Sequence, residues 1–305
     1  MSDFDDLMEA KTAEVEEILK EYLPVEEGLQ KTVISAMNYS ILSGGKRLRP
    51  MLMLETYRMF GGKDEVIRPF MAAIEMIHTY SLIHDDLPCM DNDEYRRGRK
   101  TTHIVFGEGM AVLAGDGLLN YAYETAAKAF NLLDPSDIHG YHRVARALQV
   151  LSKRAGIYGM VGGQCTDVEA EKKNLEVDGE MLTFIHKNKT AALIEASMMV
   201  GAILAGAEKD SVRAVKKCAE DVGIAFQIQD DILDVIGTME ELGKPIGSDA
   251  KNNKQTYVTL FGMDRAEQDV GILSEDAIKN LEKVEKNGNG DFLKKLVLSL
   301  IHRTK

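Results

Sequence analysis

Apolar residues recur at helical rather than alternating spacing along nearly the whole chain. Over residues 5–22, Leu7, Val15, Ile18, Leu19 and Tyr22 lie among acids and lysines, which predicts an amphipathic surface helix. Residues 70–87, 108–133, 190–207 and 219–236 are apolar over most of their circumference and predict helices buried on several sides. No segment sustains strand alternation, and no Asn-Gly or Asp-Gly turn stands between alternating stretches. The NGNG run at 287–290 predicts a break before a last helix over 291–302. None of the six prolines sits in a Pro-rich linker, and the chain has no simple repeat or low-complexity tract. The pattern predicts one all-α domain over residues 1–305, with long helices around a central cavity.

Composition narrows what such a domain does. Lys plus Arg number 37 against 49 Asp plus Glu, a net charge of −12. A surface this acidic argues against nucleic acid, whose binding rests on a basic face, but not against small phosphorylated ligands met by local cations or metal ions. Cys89, Cys165 and Cys218 have no CxxC spacing, so neither a zinc motif nor a fully paired disulfide framework is expected. A reducing cytoplasm is the simplest location. The acidic first residues lack a signal-peptide pattern, and no stretch approaches the roughly 18 apolar residues of a membrane span.

Two aspartate clusters interrupt the apolar helices: SLIHDDLPCMDND at 81–93 and FQIQDDILD at 226–234. Asp230 and Asp234 stand at i and i+4 on one helix face, where like charges repel and a buried pair is costly without a cation. Such hard oxygen ligands suit magnesium, which bridges a few carboxylates to a substrate's phosphates. Asp85 and Asp91 are six apart, a spacing an ideal helix puts on different faces. Pro88 between them predicts a local break that lets Asp91 return toward Asp85. A lone Asp-Asp near a helix end is usually a cap or a solvated face. Two such clusters, each after a strongly apolar run, argue against that reading.

Cations cluster as well. SGGKRLRP at 43–50 joins a Gly pair to Lys46, Arg47 and Arg49, a candidate anion site without Walker A spacing. YRRGRKTTH at 95–103 follows the first aspartate cluster directly; a surface helix start is the bland alternative there. HKNKTA at 186–191 and LGKPIGSD at 242–249 add further lysines. Together these cations and divalent ions would neutralise two diphosphates, and the apolar helices would hold a hydrocarbon tail.

In order and spacing, GGKRLRP, HxxxLxHDDx4D, RRG, KT, QxxDD and the GK before SD resemble the trans-prenyltransferase (polyprenyl synthetase) family over roughly residues 30–260. The four residues LPCM inside the first motif are most similar to the bacterial farnesyl diphosphate synthases. The resemblance implies an antiparallel helical barrel of the isoprenoid synthase type, usually homodimeric, with the two aspartate motifs facing each other across its mouth. It implies that Asp85, Asp91 and Asp230 hold three Mg2+ ions against an allylic diphosphate, with Asp86, Asp231 and Asp234 assisting. By position Arg96, Lys189, Thr190, Gln227 and Lys244 match contacts to that diphosphate, with Lys254 as a further candidate. Lys46, Arg49, His78 and Arg97 match the site for isopentenyl diphosphate. Without the resemblance, His78 reads as a core histidine.

The implied reaction is ionisation of the allylic C–O bond and attack on the cation by the isopentenyl double bond. Proton loss to the departing diphosphate then completes it. In the family that the chain resembles, the residue five before the first motif aspartate helps form the floor of the tail pocket. Here it is Tyr80, about 7.5 Å down the helix, which implies the fifteen-carbon product, farnesyl diphosphate, from dimethylallyl and geranyl diphosphate. A core-packing role for Tyr80 is the alternative, as is plain core filling for Met71, Met76 and Met110. Rival functions are a geranylgeranyl diphosphate synthase, a terpene cyclase, which would not need GGKRLRP or His78, and a non-catalytic partner subunit, which characteristically loses an aspartate motif.

Overall fold

The computed structural model describes residues 3–173, 175–236, 255–285 and 289–301. Among these residues the regular structure is helical apart from one short hairpin. Their contacts resolve into two compact units, residues 1–54 with 63–149, and residues 55–62 with 150–305.

The first unit is built on α4 (Arg68–Asp85), with Pro69 in its first turn, where a missing N–H breaks no helix bond. Phe70, Met71, Ile74, Met76 and Ile77 are fully buried, as the apolar run predicts. Against α4 pack α1 (Asp3–Glu21), α2 (Lys31–Ile41) and α6 (Glu108–Ala127). α6 departs from expectation. Its buried residues, Ala111, Ala114, Gly115, Leu118, Ala122, Thr125 and Ala126, form one stripe of mostly small side chains, and Val112 and Leu113 are exposed. Small residues let α6 approach α4 closely, so one face suffices for the packing. Helix α5 (Thr102–Phe106) precedes it, and α3 (Leu48–Met59) leads from this unit into the second.

A buried ion pair fastens these parts. Arg47, 3% exposed and in left-handed backbone conformation (φ 48°), donates from Nη1 to Glu75 on α4 at 2.8 Å. Its Nη2 donates to the Ile41 carbonyl at 2.6 Å, and its Nε lies 3.5 Å from Glu16 on α1. Arg47 therefore turns inward and is not part of a free anion surface, unlike the expectation for the whole Lys46–Arg49 cluster.

In the second unit α7 (Ile138–Ala155, shared with the first unit) is followed by α8 (Met160–Lys172), α9 (Gly179–Ile185) and α10 (Ala192–Leu204). α10 is buried almost all round, as predicted. The 28-residue α11 (Lys209–Ile236) packs against α10 and against α13 (Met263–Glu282), with α12 (Tyr257–Phe261) and α14 (Asp291–Ile301) beside them. Between α9 and α10 the chain widens into a π-helical turn, His186–Ala191. Two glycines make room for it. A Cβ on Gly163 of α8 would lie 2.1 Å from the Lys189 nitrogen, and one on Gly223 of α11 would lie 2.2 Å from the Ala191 Cβ. No described helix is long and apolar enough to cross a membrane.

Replacing Glu75 by Ala strands the Arg47 charge in the core and is expected to lower unfolding free energy by about 3–5 kcal/mol. Urea denaturation measures this directly, and a loss of less than about 1 kcal/mol would mean that Glu75 does not anchor Arg47.

Candidate active site

In the first unit the site begins where α4 stops. The helix ends at Asp85, Asp86 caps it, and Pro88 prevents its continuation. The chain doubles back, and the Asp91 N–H donates to the Asp85 carbonyl at 2.9 Å. The predicted break is present, and it brings the two aspartates together. Asp91 is exposed and Asp85 half-buried.

Beyond them Tyr95–Arg96 (β1) and Arg99–Lys100 (β2) form a hairpin in the register Tyr95↔Lys100 and Arg96↔Arg99. Its turn is the pair Arg97–Gly98, with φ of 53° and 75°, so both turn residues are left-handed and Gly98 supplies one at no steric cost. For Arg97 that conformation costs roughly 1–2 kcal/mol. The sequence reading offered a helix start here. Two-residue strands are too short to show alternation, and Arg-Gly is not a strong turn signal.

Arg96 is fastened to buried Asp86, Nε to Oδ1 at 2.7 Å and Nη2 to Oδ1 at 2.6 Å, with Asp93 at 3.5 Å. Burial raises the Asp86 pKa, and Arg96 works against that shift. Arg97 donates to the Gly44 carbonyl in the Gly-Gly-Lys-Arg loop. Lys46 in that loop is exposed. Arg49 is half-buried; burial lowers its pKa to about 10, so it stays cationic at neutral pH. Its Nε has no hydrogen-bond partner among the described residues. His78 is held well below its usual pKa, first by burial and then by Arg49, Arg97, Arg96 and Arg47, and is neutral at pH 7. Arg49, Arg97 and His78 thus share one electropositive region, with the Glu75 carboxylate as counter-charge to both arginines.

Tyr80 is buried, with its hydroxyl pKa pushed up to about 12 by burial, with Tyr123 and Asp85 adding to the shift. Its ring meets His84 edge-on at 5.8 Å.

In the second unit the π-turn presents Lys189 and Thr190, as such turns often do at functional sites. Lys189 Nζ donates to buried Asp167 of α8 at 2.6 Å. Thr190 Oγ1 donates to Gln227 Oε1 at 2.7 Å, and Gln227 Nε2 lies 3.3 Å from Asp230. This chain joins Thr190, Gln227 and Asp230, all singled out from sequence. Asp231 accepts from the Tyr257 N–H at 2.6 Å. Asp234 is 5% exposed, and its Oδ1 has no hydrogen-bond partner among the described residues. Lys244 and Lys254 lie outside the described residues. Sequence reasoning missed Asp167; an acid in GGQCTD, amid small residues of a helix, was the available signal.

Comparison with known proteins gives the family. A family model described as polyprenyl synthetase matches residues 30–289, across both units. A farnesyl diphosphate synthase of Geobacillus stearothermophilus is 44% identical over 282 residues, 92% of each chain. A chloroplastic geranylgeranyl pyrophosphate synthase of Catharanthus roseus is 43% identical, over 93% of this chain and 77% of its own. The crystal structure of a Helicobacter pylori geranyltransferase complexed with magnesium and isoprenyl diphosphate aligns with a TM-score of 0.80 at 32% identity, covering 99% of this chain and 97% of that one. The chain belongs to the polyprenyl synthetase family, a family of prenyltransferases of all-α fold.

Proposed function

We propose that this short-chain trans-prenyl diphosphate synthase adds isopentenyl diphosphate to dimethylallyl and then geranyl diphosphate and stops at farnesyl diphosphate. Tyr80 carries the choice of product. It is a buried aromatic on the helix that ends in Asp85, more than one turn below that carboxylate. A fifteen-carbon tail that reached the ring would find no room for a further unit.

The donor set fits magnesium. Asp85, Asp91, Asp230 and Asp234 offer hard carboxylate oxygens, and the buried Asp234 Oδ1 lacks a hydrogen-bond partner among the described residues. Magnesium held at Asp85 and Asp91 in the first unit and at Asp230 and Asp234 in the second, with three ions as the proposed complement, would supply charge neutralisation for a leaving diphosphate. Arg96, Lys189, Thr190 and Gln227 would bind the allylic diphosphate. Arg96 and Lys189 rest on the acids Asp86 and Asp167, and a diphosphate, with more charge, would compete for them. Lys46, Arg49, Arg97 and neutral His78 would hold isopentenyl diphosphate, orienting its double bond for attack. Arg49 brings an Nε donor without a partner. The apolar helix walls exclude water, which would quench the cation to an alcohol. The departing diphosphate would take the proton.

We further propose that the family's usual homodimer forms here through α5 and α6. Ile104, Val105, Val112 and Leu113 are 40–55% exposed on these neighbouring helices, an apolar face that a second copy would cover. Cytoplasmic residence is supported by exposed thiols at Cys89 and Cys165.

Purified protein given magnesium, isopentenyl diphosphate and a five-, ten- or fifteen-carbon primer should yield farnesol after dephosphorylation and leave the fifteen-carbon primer unextended. Tyr80→Ala should shift the mass-spectrometric product to twenty carbons or beyond. Geranylgeraniol from the unmodified protein would refute the Tyr80 assignment and support the geranylgeranyl alternative. Asp85→Asn and Asp230→Asn should each lower kcat/KM about a hundredfold or more, and a chelator should abolish turnover. Undiminished turnover in chelator would remove magnesium from the scheme. Leu113→Asp should elute as a monomer in size exclusion with light scattering, and an unchanged mass would rule this face out as the interface.

A further inference from the structure

The hairpin Tyr95–Lys100 carries Arg96 and Arg97, two of the three arginines of the proposed diphosphate chemistry, yet it has two residues per strand. A two-stranded ribbon this short has no stability of its own, so its position is set by whatever it is fastened to. Arg96 is fastened to Asp86, at 2.7 Å. The other strand is fastened elsewhere, to the last turn of α2, through groups that the proposed chemistry does not use.

Tyr39 of α2 donates its hydroxyl to the Lys100 carbonyl at 2.8 Å. The Arg99 guanidinium lies over the Tyr39 ring, 4.6 Å from its centroid, and Nη1 donates to the Leu42 carbonyl at 3.2 Å. Phe106 meets the Tyr39 ring edge-on at 5.5 Å. Between the two fastenings stands the turn itself, where Arg97 reaches the Gly44 carbonyl from a left-handed backbone.

We infer that Tyr39 and Arg99 are positioning residues for isopentenyl diphosphate, clamping the β2 strand to α2 so that the Arg97 guanidinium stands over the Gly44–Lys46 loop. The inference rests on the assignment of Arg97 to that substrate. Arg97 is two residues from Arg99 and its left-handed backbone is not self-sustaining, so loosening the clamp displaces Arg97 first. Arg96 keeps its own tie to Asp86. The clamp therefore acts on one substrate and not on the other.

The test varies isopentenyl diphosphate against saturating geranyl diphosphate, and the reverse, with the full chain and magnesium. Tyr39→Phe and Arg99→Gln should each raise KM for isopentenyl diphosphate by about three- to tenfold, the scale of one hydrogen bond. KM for geranyl diphosphate and kcat should stay within about twofold, because neither residue acts on that substrate. Arg99→Lys keeps a cation over the ring and should fall between Arg99→Gln and the unmodified protein. In an Arg97→Gln background, Tyr39→Phe should have no further effect, since the group it positions is gone. Thermal melts of all variants guard against loss of fold. An unchanged isopentenyl KM, a parallel change in both KM values, or an undiminished Tyr39→Phe effect in the Arg97→Gln background would overturn the clamp. Failure of the functional reading looks different: no condensation by the unmodified protein, or an Arg97→Gln variant with normal isopentenyl KM.

Discussion

A charge in a protein core must be answered, and in the first unit that constraint organises nearly everything near the substrate groups. Arg47 and Glu75 are both almost wholly buried, and neither is tolerable alone. Their pairing draws the loop after α2 against α4, with Glu16 of α1 behind it. Lys46 and Arg49 flank the inward-turned Arg47 and so are aimed by it. The same carboxylate lies one turn before His78 on α4, which gives the electropositive region an internal counter-charge.

Helix interruption is the second organising device. α4 is broken after Asp85 by Pro88, α9 and α10 are parted by a π-turn, and the hairpin turn forces Arg97 left-handed. Each departure occurs where side chains proposed to meet metal or diphosphate are presented. Regular helices would have spread Asp85 and Asp91 over different faces and pointed Lys189 elsewhere. The irregularities are held by ordinary packing: glycines on α8 and α11 for the π-turn, a proline for the break.

Much of this was legible in the sequence, for definite reasons. Apolar periodicity marked α1, α4, α10 and α11 because burial demands it, and Pro88 announced the return of Asp91 because proline cannot continue a helix. α6 was misjudged in degree: its composition is apolar over most of its circumference, but its buried residues form one stripe of mostly small side chains. The hairpin left no periodic signal in two-residue strands. Arg47 could not be told from Lys46 and Arg49, since three adjacent cations look alike until a buried Glu75 selects one. Asp167 was passed over because its partner, Lys189, is 22 residues away in sequence and meets it only through the π-turn.

Both Arg96 and Lys189 rest on buried acids rather than facing open water. Diphosphate binding there, as proposed, would be an exchange of anions in which the incoming group must outcompete a carboxylate already in place at hydrogen-bond distance. A singly or doubly charged ion from the surrounding solution gains little by such a swap, whereas a diphosphate brings more charge and more oxygens to each cation. The resting ion pairs thus set a threshold: they keep the cations ordered and largely silent toward common small anions, and they yield to the ligand with enough charge to displace them.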